Sequence, residues 1–179
     1  RLGALCLTEV NVTGIETASG QIAAVLTSAG RMAAPVVVTA AGPWSAAVGR
    51  MAGLPVPVTP LRRQWLTTAP LPQMPADFPF VIDFAQSLYF HREGEGLLTG
   101  MSNPAEAPGE DQTVDRDWEL AHLEAAVQRL PALAHAGILA RVAGLYEVTP
   151  DAHPILGPTP QPGVNQVTGI NGPRVKHGP

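Results

Sequence analysis

The chain has 179 residues, 45% hydrophobic and 15% charged; that balance suits one or two packed domains and excludes a disordered polypeptide. A net charge of −4 with no basic run argues against a nucleic-acid binder that works by neutralising phosphates. Cys6 is the sole cysteine, which excludes an internal disulfide framework and leaves no thiolate set for zinc.

Leu5 to Thr13 alternates loosely and is rich in β-branched residues, so a first strand is predicted there, closed by a turn at Ser19-Gly20. Gln21 to Thr27 reads as a second strand with a turn at Ala29-Gly30. Met32 to Ala40 contains Val36, Val37 and Val38, the unbroken apolar run of a buried strand. It leads into Ala41-Gly42-Pro43-Trp44-Ser45 and a helix from Pro43 to about Met51, with Gly53 just past its end. Such a strand, small-residue turn and helix start admits two readings: a tight turn without a ligand, or a turn whose backbone approaches an anion or a ring.

Pro55 to Pro60 is a connector, Arg62 to Thr68 and Phe80 to Asp83 are strands, and Ser87 to Arg92 with Gly96 to Met101 form a hairpin around a loop at His91 to Gly96. Adjacent Arg62 and Arg63 point to opposite faces of their strand, so one can enter a pocket and pair with a carboxylate while both can equally be solvated at an edge. Asp117 to Leu130 reads as a helix with Leu120, Leu123, Val127 and Leu130 on one face, stopped by Pro131. Ile138 to Glu147 is a strand, Thr149-Pro150-Asp151 a turn, and Asn165 to Ile170 a last strand before Asn171-Gly172-Pro173. The fold class expected is α+β, dominated by antiparallel pairing.

No apolar run is long enough to span a bilayer. The single cysteine and the lack of a leader point to a cytoplasmic protein, and Arg1 without a preceding Met points to a chain that is an internal piece. A G-x-G-x-x-G fingerprint, a Walker loop and a His-Glu-x-x-His signature are all missing from the 179 residues. His91, His122, His135, His153 and His177 lack metal-ligand spacing, so no metal site is expected, and His122 and His135 are expected at the surface. Asp151 and His153 read as turn and surface residues.

The order of five segments carries more than any one of them. VVVTAAGPWS (Val36 to Ser45), PLRRQ (Pro60 to Gln64), Leu88 to Gly100, GLYEVTPDAHPILG (Gly144 to Gly157) and Gly169 to Pro179 together resemble the D-amino acid oxidase-like family of FAD-dependent oxidoreductases, within it the sarcosine oxidase, glycine oxidase and proline dehydrogenase β-subunit group. The resemblance covers nearly the whole chain. It implies that residues 1–56 and 143–179 belong to an FAD-binding α/β domain, and that residues 57–142 form a substrate domain with a mixed, largely antiparallel sheet.

The resemblance also implies FAD as cofactor, contacted from Val10, Ala41, Gly42, Trp44, Gly169 and Gly172. It implies Tyr89 and Tyr146 as active-site hydroxyls, Arg62 or Arg63 as a substrate-binding cation, and Lys176 as the lysine that favours reaction with oxygen. The reaction implied is oxidation of the C–N bond of a small amine or amino acid of the sarcosine, glycine, proline or opine type to an imine. The chain departs from the family's usual last loop at Pro173, which lacks an amide donor, and at Arg174, a bulky cation. Two rival readings fit the missing fingerprint: a substrate-domain module that does not hold FAD alone, and a subunit completed by a partner carrying the nucleotide-binding half.

Overall fold

The first hairpin is set by its turn. Ser19 (φ 52°) and Gly20 (φ 77°) are both left-handed, the signature of a type I′ turn whose twist matches the strands it joins. In this computed structural model, which describes residues 3–170, the turn pairs β1 (Val12–Ala18) with β2 (Gln21–Thr27), from Ala18↔Gln21 to Val12↔Thr27. The first strand therefore lies later than the expected Leu5 to Thr13. A two-residue loop joins strand residues directly, and its register outweighs the alternation of the lead-in.

The expected strand Met32 to Ala40 is two strands. β3 (Gly30–Ala33) completes the meander on β2, and Pro35 then breaks the ladder, because it has no N–H to donate. β4 (Val37–Thr39) joins a different sheet. Nor is the valine run buried: Val36 and Val38 are 58% and 61% exposed, while Val37 packs with Ile22, Ala52, Leu54 and Val164. A 3-10 turn at Gly42–Trp44 precedes α1 (Ser45–Met51), and Gly53 (φ 72°) follows it as expected.

The described residues divide into two compact units. One comprises the residues up to Pro60 with those from Tyr146 on; the other is Leu61–Leu145. The second is built on a five-stranded sheet ordered β6 (Val81–Asp83), β7 (Leu88–Glu93), β8 (Gly96–Met101), β5 (Thr59–Thr68) and β9 (Ile138–Val148). The β7–β8 hairpin turns more tightly than expected: Glu93 pairs with Gly96, leaving Gly94 and Glu95 as the loop. In the first unit, β10 (Ile155–Pro158), which sequence reasoning missed, pairs antiparallel with β11 (Val164–Thr168), and β11 runs parallel to β4. The class is α+β with antiparallel pairing dominant, and β4–β11 is a parallel pair.

Helix α2 (Arg116–Arg129) covers one face of the five-stranded sheet. Its start is pinned twice: the Asp115 carboxylate accepts from the Asp117 and Trp118 amides, and Gln64 on β5 both donates to Asp115 O (3.0 Å) and accepts from Asp115 N (2.9 Å). The most deeply buried face is not the leucine stripe, although Val127 and Leu130 of that stripe pack against the core. Leu120 is 63% exposed, and Glu119, His122, Ala125 and Ala126 are the buried helix residues. The helix is rotated by about one residue (roughly 100°) from the expected orientation. The alanines allow close approach to Leu88, Phe90, Leu97 and Met101, each worth about 1.5–3 kcal/mol on burial. The polar members of that face meet the sheet: Arg141 on β9 donates to Glu119 at 2.9 Å, and Thr99 on β8 meets His122 Nε2 at 2.9 Å, while His122 Nδ1 is buried without a hydrogen-bond partner. His122 is thus fully buried rather than superficial, and burial pushes its pKa down to about 4. His135, in the 3-10 segment Pro131–His135 that follows, is exposed as expected.

Candidate functional site

Parallel strands leave a crevice at their carboxyl ends, where chain segments depart and backbone groups face outward. In the first unit that position is the end of the β4–β11 pair, with Gln166 opposite Thr39 in register. Two loops meet there. From β4 the chain enters Ala41-Gly42-Pro43-Trp44; from β11 it enters Gly169-Ile170. Thr168, the last residue of β11, joins them: Ser45 Oγ donates to Thr168 Oγ1 at 2.8 Å, and Thr168 Oγ1 donates to Glu147 Oε2 at 2.5 Å with Gly42 O at 3.5 Å. The Ile170 amide donates to the other oxygen of Glu147 at 3.0 Å.

Both glycines have specific reasons to be glycine. Gly42 sits at φ 54°, and a Cβ there would meet nothing within 4 Å among the described residues. Its backbone is bare and open, so a flat group can approach it closely. Gly169 sits at φ 77° and is buried; a Cβ would come within 2.8 Å of the Thr149 methyl and 3.0 Å of His153 O. The Thr-Pro-Asp turn is itself braced, Thr149 Oγ1 donating to His153 O at 2.8 Å and the Asp151 carboxylate accepting from the His153 amide at 3.0 Å. The GLYEVTPDAHP segment is thereby a rigid seat for the loop after β11.

Ala41, Gly42, Trp44 and Gly169 are therefore neighbours in one loop cluster. Trp44 is 44% exposed and Ala41 half-buried. Val10 lies half-buried in the lead-in to β1. Tyr146 is half-buried on β9, on the opposite strand face from Glu147. Gly172 and Lys176 lie outside the described residues. The helix after Gly42 differs from expectation: α1 proper begins only at Ser45, whose amide is used by Gly42 O, and it is seven residues long. A separate apolar recess of about 200 Å³, lined by Leu54 to Pro57, Ile155 to Pro160 and Gln166, includes none of the expected site residues.

In the second unit, strand alternation sorts the remaining candidates. Leu88, Phe90, Leu97, Thr99, Gln64 and Leu66 face α2 and are buried, while Tyr89, His91, Leu98, Trp65 and Thr67 alternate with them on the other face and are half-buried. Tyr89 is paired with Ile82 on β6 and Gly100 on β8, and Gly100 is in turn paired with Trp65. Phe80 stacks against this row, its ring 5.9 Å from Tyr89 at 5° and 5.2 Å from His91 at 12°.

The arginine pair is divided by the same alternation. Arg62 meets Glu106 (3.1 Å), Asp111 (2.9 Å) and Asp115 (3.6 Å), and donates to Thr113 O at 2.8 Å. Burial works against its charge, but the hydrogen bond it donates to Glu106 and the surrounding carboxylates outweigh it and hold the guanidinium above its ordinary pKa. Asp111 is held below the carboxylate range by hydrogen bonds from Thr113 and then by Arg62. Arg62 thus fastens the 104–115 loop to β5. Arg63 falls on the strand face that carries Trp65, with Nη1 donating to Arg62 O at 3.0 Å.

Glu147, Thr168 and Ser45 were not anticipated as site residues. The signal was present in the acidic residue inside GLYEVTP and in hydroxyls ending one strand and starting one helix, but nothing local ties residues 45, 147 and 168 together. Among the described residues, no group of three or more His, Cys, Asp or Glu could hold a metal, and no helix is long and apolar enough to cross a membrane.

The family model DAO, FAD dependent oxidoreductase, matches residues 1–179. Human mitochondrial sarcosine dehydrogenase is 32% identical over 173 residues, covering 89% of this chain and 19% of that protein. Glycine oxidase of Pseudomonas putida is 33% identical over 150 residues, covering 83% of this chain and 40% of that one. Among solved structures, L-proline dehydrogenase from P. horikoshii superposes with a TM-score of 0.85 at 26% identity, over 95% of this chain and 46% of that one. Glycine oxidase from Geobacillus kaustophilus does so with 0.79 at 27% identity, over 91% and 43%. The chain thus spans between a fifth and a half of the length of these relatives, and with a family model matched along its whole length it belongs to the DAO family of FAD-dependent oxidoreductases.

Proposed function

We propose that this chain forms part of an enzyme that oxidises the C–N bond of a small amine or amino acid, of the sarcosine, glycine, proline or opine type, with FAD as cofactor. The observation that carries the reading is the junction of the Gly42 turn and the Gly169 loop at the carboxyl ends of β4 and β11, held by Ser45, Thr168 and Glu147. The bare backbone at Gly42 fits the edge or face of a flavin nucleotide. Ala41, Gly42, Trp44 and Gly169 would hold the cofactor, with Val10 and Gly172 as the further contacts the family resemblance implies. When bound, FAD supplies the two-electron acceptor that the oxidation needs.

We assign residues 57–142 to substrate binding, and residues 1–56 with 143–179 to the cofactor. Tyr89 and Tyr146 orient the substrate by their hydroxyls. Arg63, on the Trp65 face, pairs with a substrate carboxylate, and we prefer it to Arg62, which the chain's own carboxylates engage. Lys176 is the residue assigned to favour oxygen reduction. Cys6, exposed and unpaired with any other cysteine, suits a reducing compartment such as the cytoplasm.

The test is spectroscopic. The purified protein, with FAD added, is expected to retain flavin absorbance through gel filtration and to lose it on anaerobic addition of N-methylglycine, glycine or proline. A colourless protein that takes up no FAD would overturn the reading for this chain. It would instead support a module completed by a nucleotide-binding partner.

A further inference from the structure

We propose that Gly100 is a positioning residue for Tyr89: its missing side chain lets the phenol ring lie across β8 and so fixes where the hydroxyl stands on the open sheet face. The inference rests on the reading of that face as the substrate face.

Tyr89 and Gly100 are direct cross-strand partners. A Cβ on Gly100 would lie 2.4 Å from Cζ and from Oη of Tyr89, and 2.5 Å from Cε1. It is therefore the far, phenolic end of the ring that sits above Gly100. An upright ring would put Cβ and Cγ nearest instead. The hydroxyl is carried from β7 over β8, toward the strand on which Trp65 pairs with the same glycine.

Backbone conformation does not explain the glycine, because Gly100 is absent from the positive-φ residues. Space does, since real Cβ contacts do not approach 2.4 Å and the neighbour would have to move. The ring has limited room to give, because Phe80 stacks on it in a near-parallel plane at 5.9 Å. A methyl at position 100 would lift the phenol off the strand and displace its oxygen by a distance comparable to a hydrogen bond's tolerance.

The test uses the chain's own scarcity of tyrosine. Tyr89 and Tyr146 are its only two, so 3-fluorotyrosine labelling yields two fluorine resonances, assigned by Tyr146→Phe. Gly100→Ala is expected to move the Tyr89 resonance and leave that of Tyr146 in place. In the FAD-loaded protein, kcat/KM is expected to fall about ten- to a hundredfold, the scale of a misplaced orienting group. On a Tyr89→Ala background the same substitution is expected to cost less than about twofold, since the clash has gone.

An unmoved Tyr89 resonance, or an equal loss on both backgrounds, overturns the proposal. Should Gly100→Ala alone fail to fold, the double variant Tyr89→Ala/Gly100→Ala is expected to fold, and its failure also overturns it. Titration of the fluorotyrosine-labelled protein carrying no substitution with N-methylglycine separates the two ideas. A Tyr89 resonance that ignores this ligand but responds to Gly100→Ala sinks the substrate-face reading and leaves the placement by Gly100 standing.

Discussion

The Ile170 amide donates to Oε1 of Glu147 at 3.0 Å while the Thr168 hydroxyl donates to Oε2 of the same carboxylate. One side chain at the end of β9 thus holds both sides of the Gly169 turn. A half-buried, charge-assisted pair of bonds of this kind contributes more than a neutral hydrogen bond.

Glu147→Ala is therefore expected to destabilise the protein by about 1–3 kcal/mol and to leave the Ile170 amide unpaired. Glu147→Gln keeps an acceptor for that amide and should lose less than half as much. Urea denaturation of the two variants checks the order, and FAD retention should fall in the same order.

His122 makes stability depend on pH. Its folded pKa is lowered to about 4 from 6.5 by burial, so between these values the unfolded chain binds the proton and the folded chain does not. Stability from this group is complete above about pH 6.5 and is lost as pH falls toward 4, on the order of 3 kcal/mol in all. A His122→Gln variant should show a flatter stability profile across that window, measured by denaturant midpoints at stepped pH.

The two neighbouring arginines should separate cleanly. Arg62→Ala strands Glu106, Asp111 and Asp115 beside one another and is expected to lower Tm by several degrees. Arg63→Ala should lower Tm by less than Arg62→Ala does and raise KM for a carboxylate-bearing substrate, with thermal melts and steady-state kinetics as the measurements. A larger Tm loss for Arg63→Ala than for Arg62→Ala would reverse the assignment.

Gly49 on α1 tolerates no side chain. A Cβ would lie 2.5 Å from the Val56 Cγ2 and 2.9 Å from Leu54 O, so Gly49→Ala is expected to cost about 1–3 kcal/mol by overpacking, despite alanine's better helix propensity. Pairing it with Val56→Ala relieves the closer side-chain clash and should recover part of the loss in a thermal melt.

Local chemistry carried the elements whose limits are chemical. β2, β8 and the turn at Ser19-Gly20 follow from alternation and from residues that accept a left-handed backbone. Gly53 ends α1 for the same reason. Motif order carried the family, because strand-end turns such as AAGPWS and VTPDAHP are recognisable at a distance.

Partnership was not legible. Val36 and Val38 read as core from their composition, but their burial depends on which sheet β4 joins, and Pro35 sends it away from β3. His122 and Leu120 exchanged places because a helix rotation of one residue is decided by what the sheet presents, here Thr99 and Arg141, not by the helix itself. Residues 45, 147 and 168 converge through contacts between segments far apart in the chain: the parallel pairing of β4 with β11 and the reach of Glu147 to the end of β11. By itself, then, the sequence determined the local conformations, their order and the family. The tertiary structure decided which faces are buried, which of two adjacent arginines is ringed by carboxylates of its own chain, and which loops meet, because those depend on contacts between residues far apart in the chain.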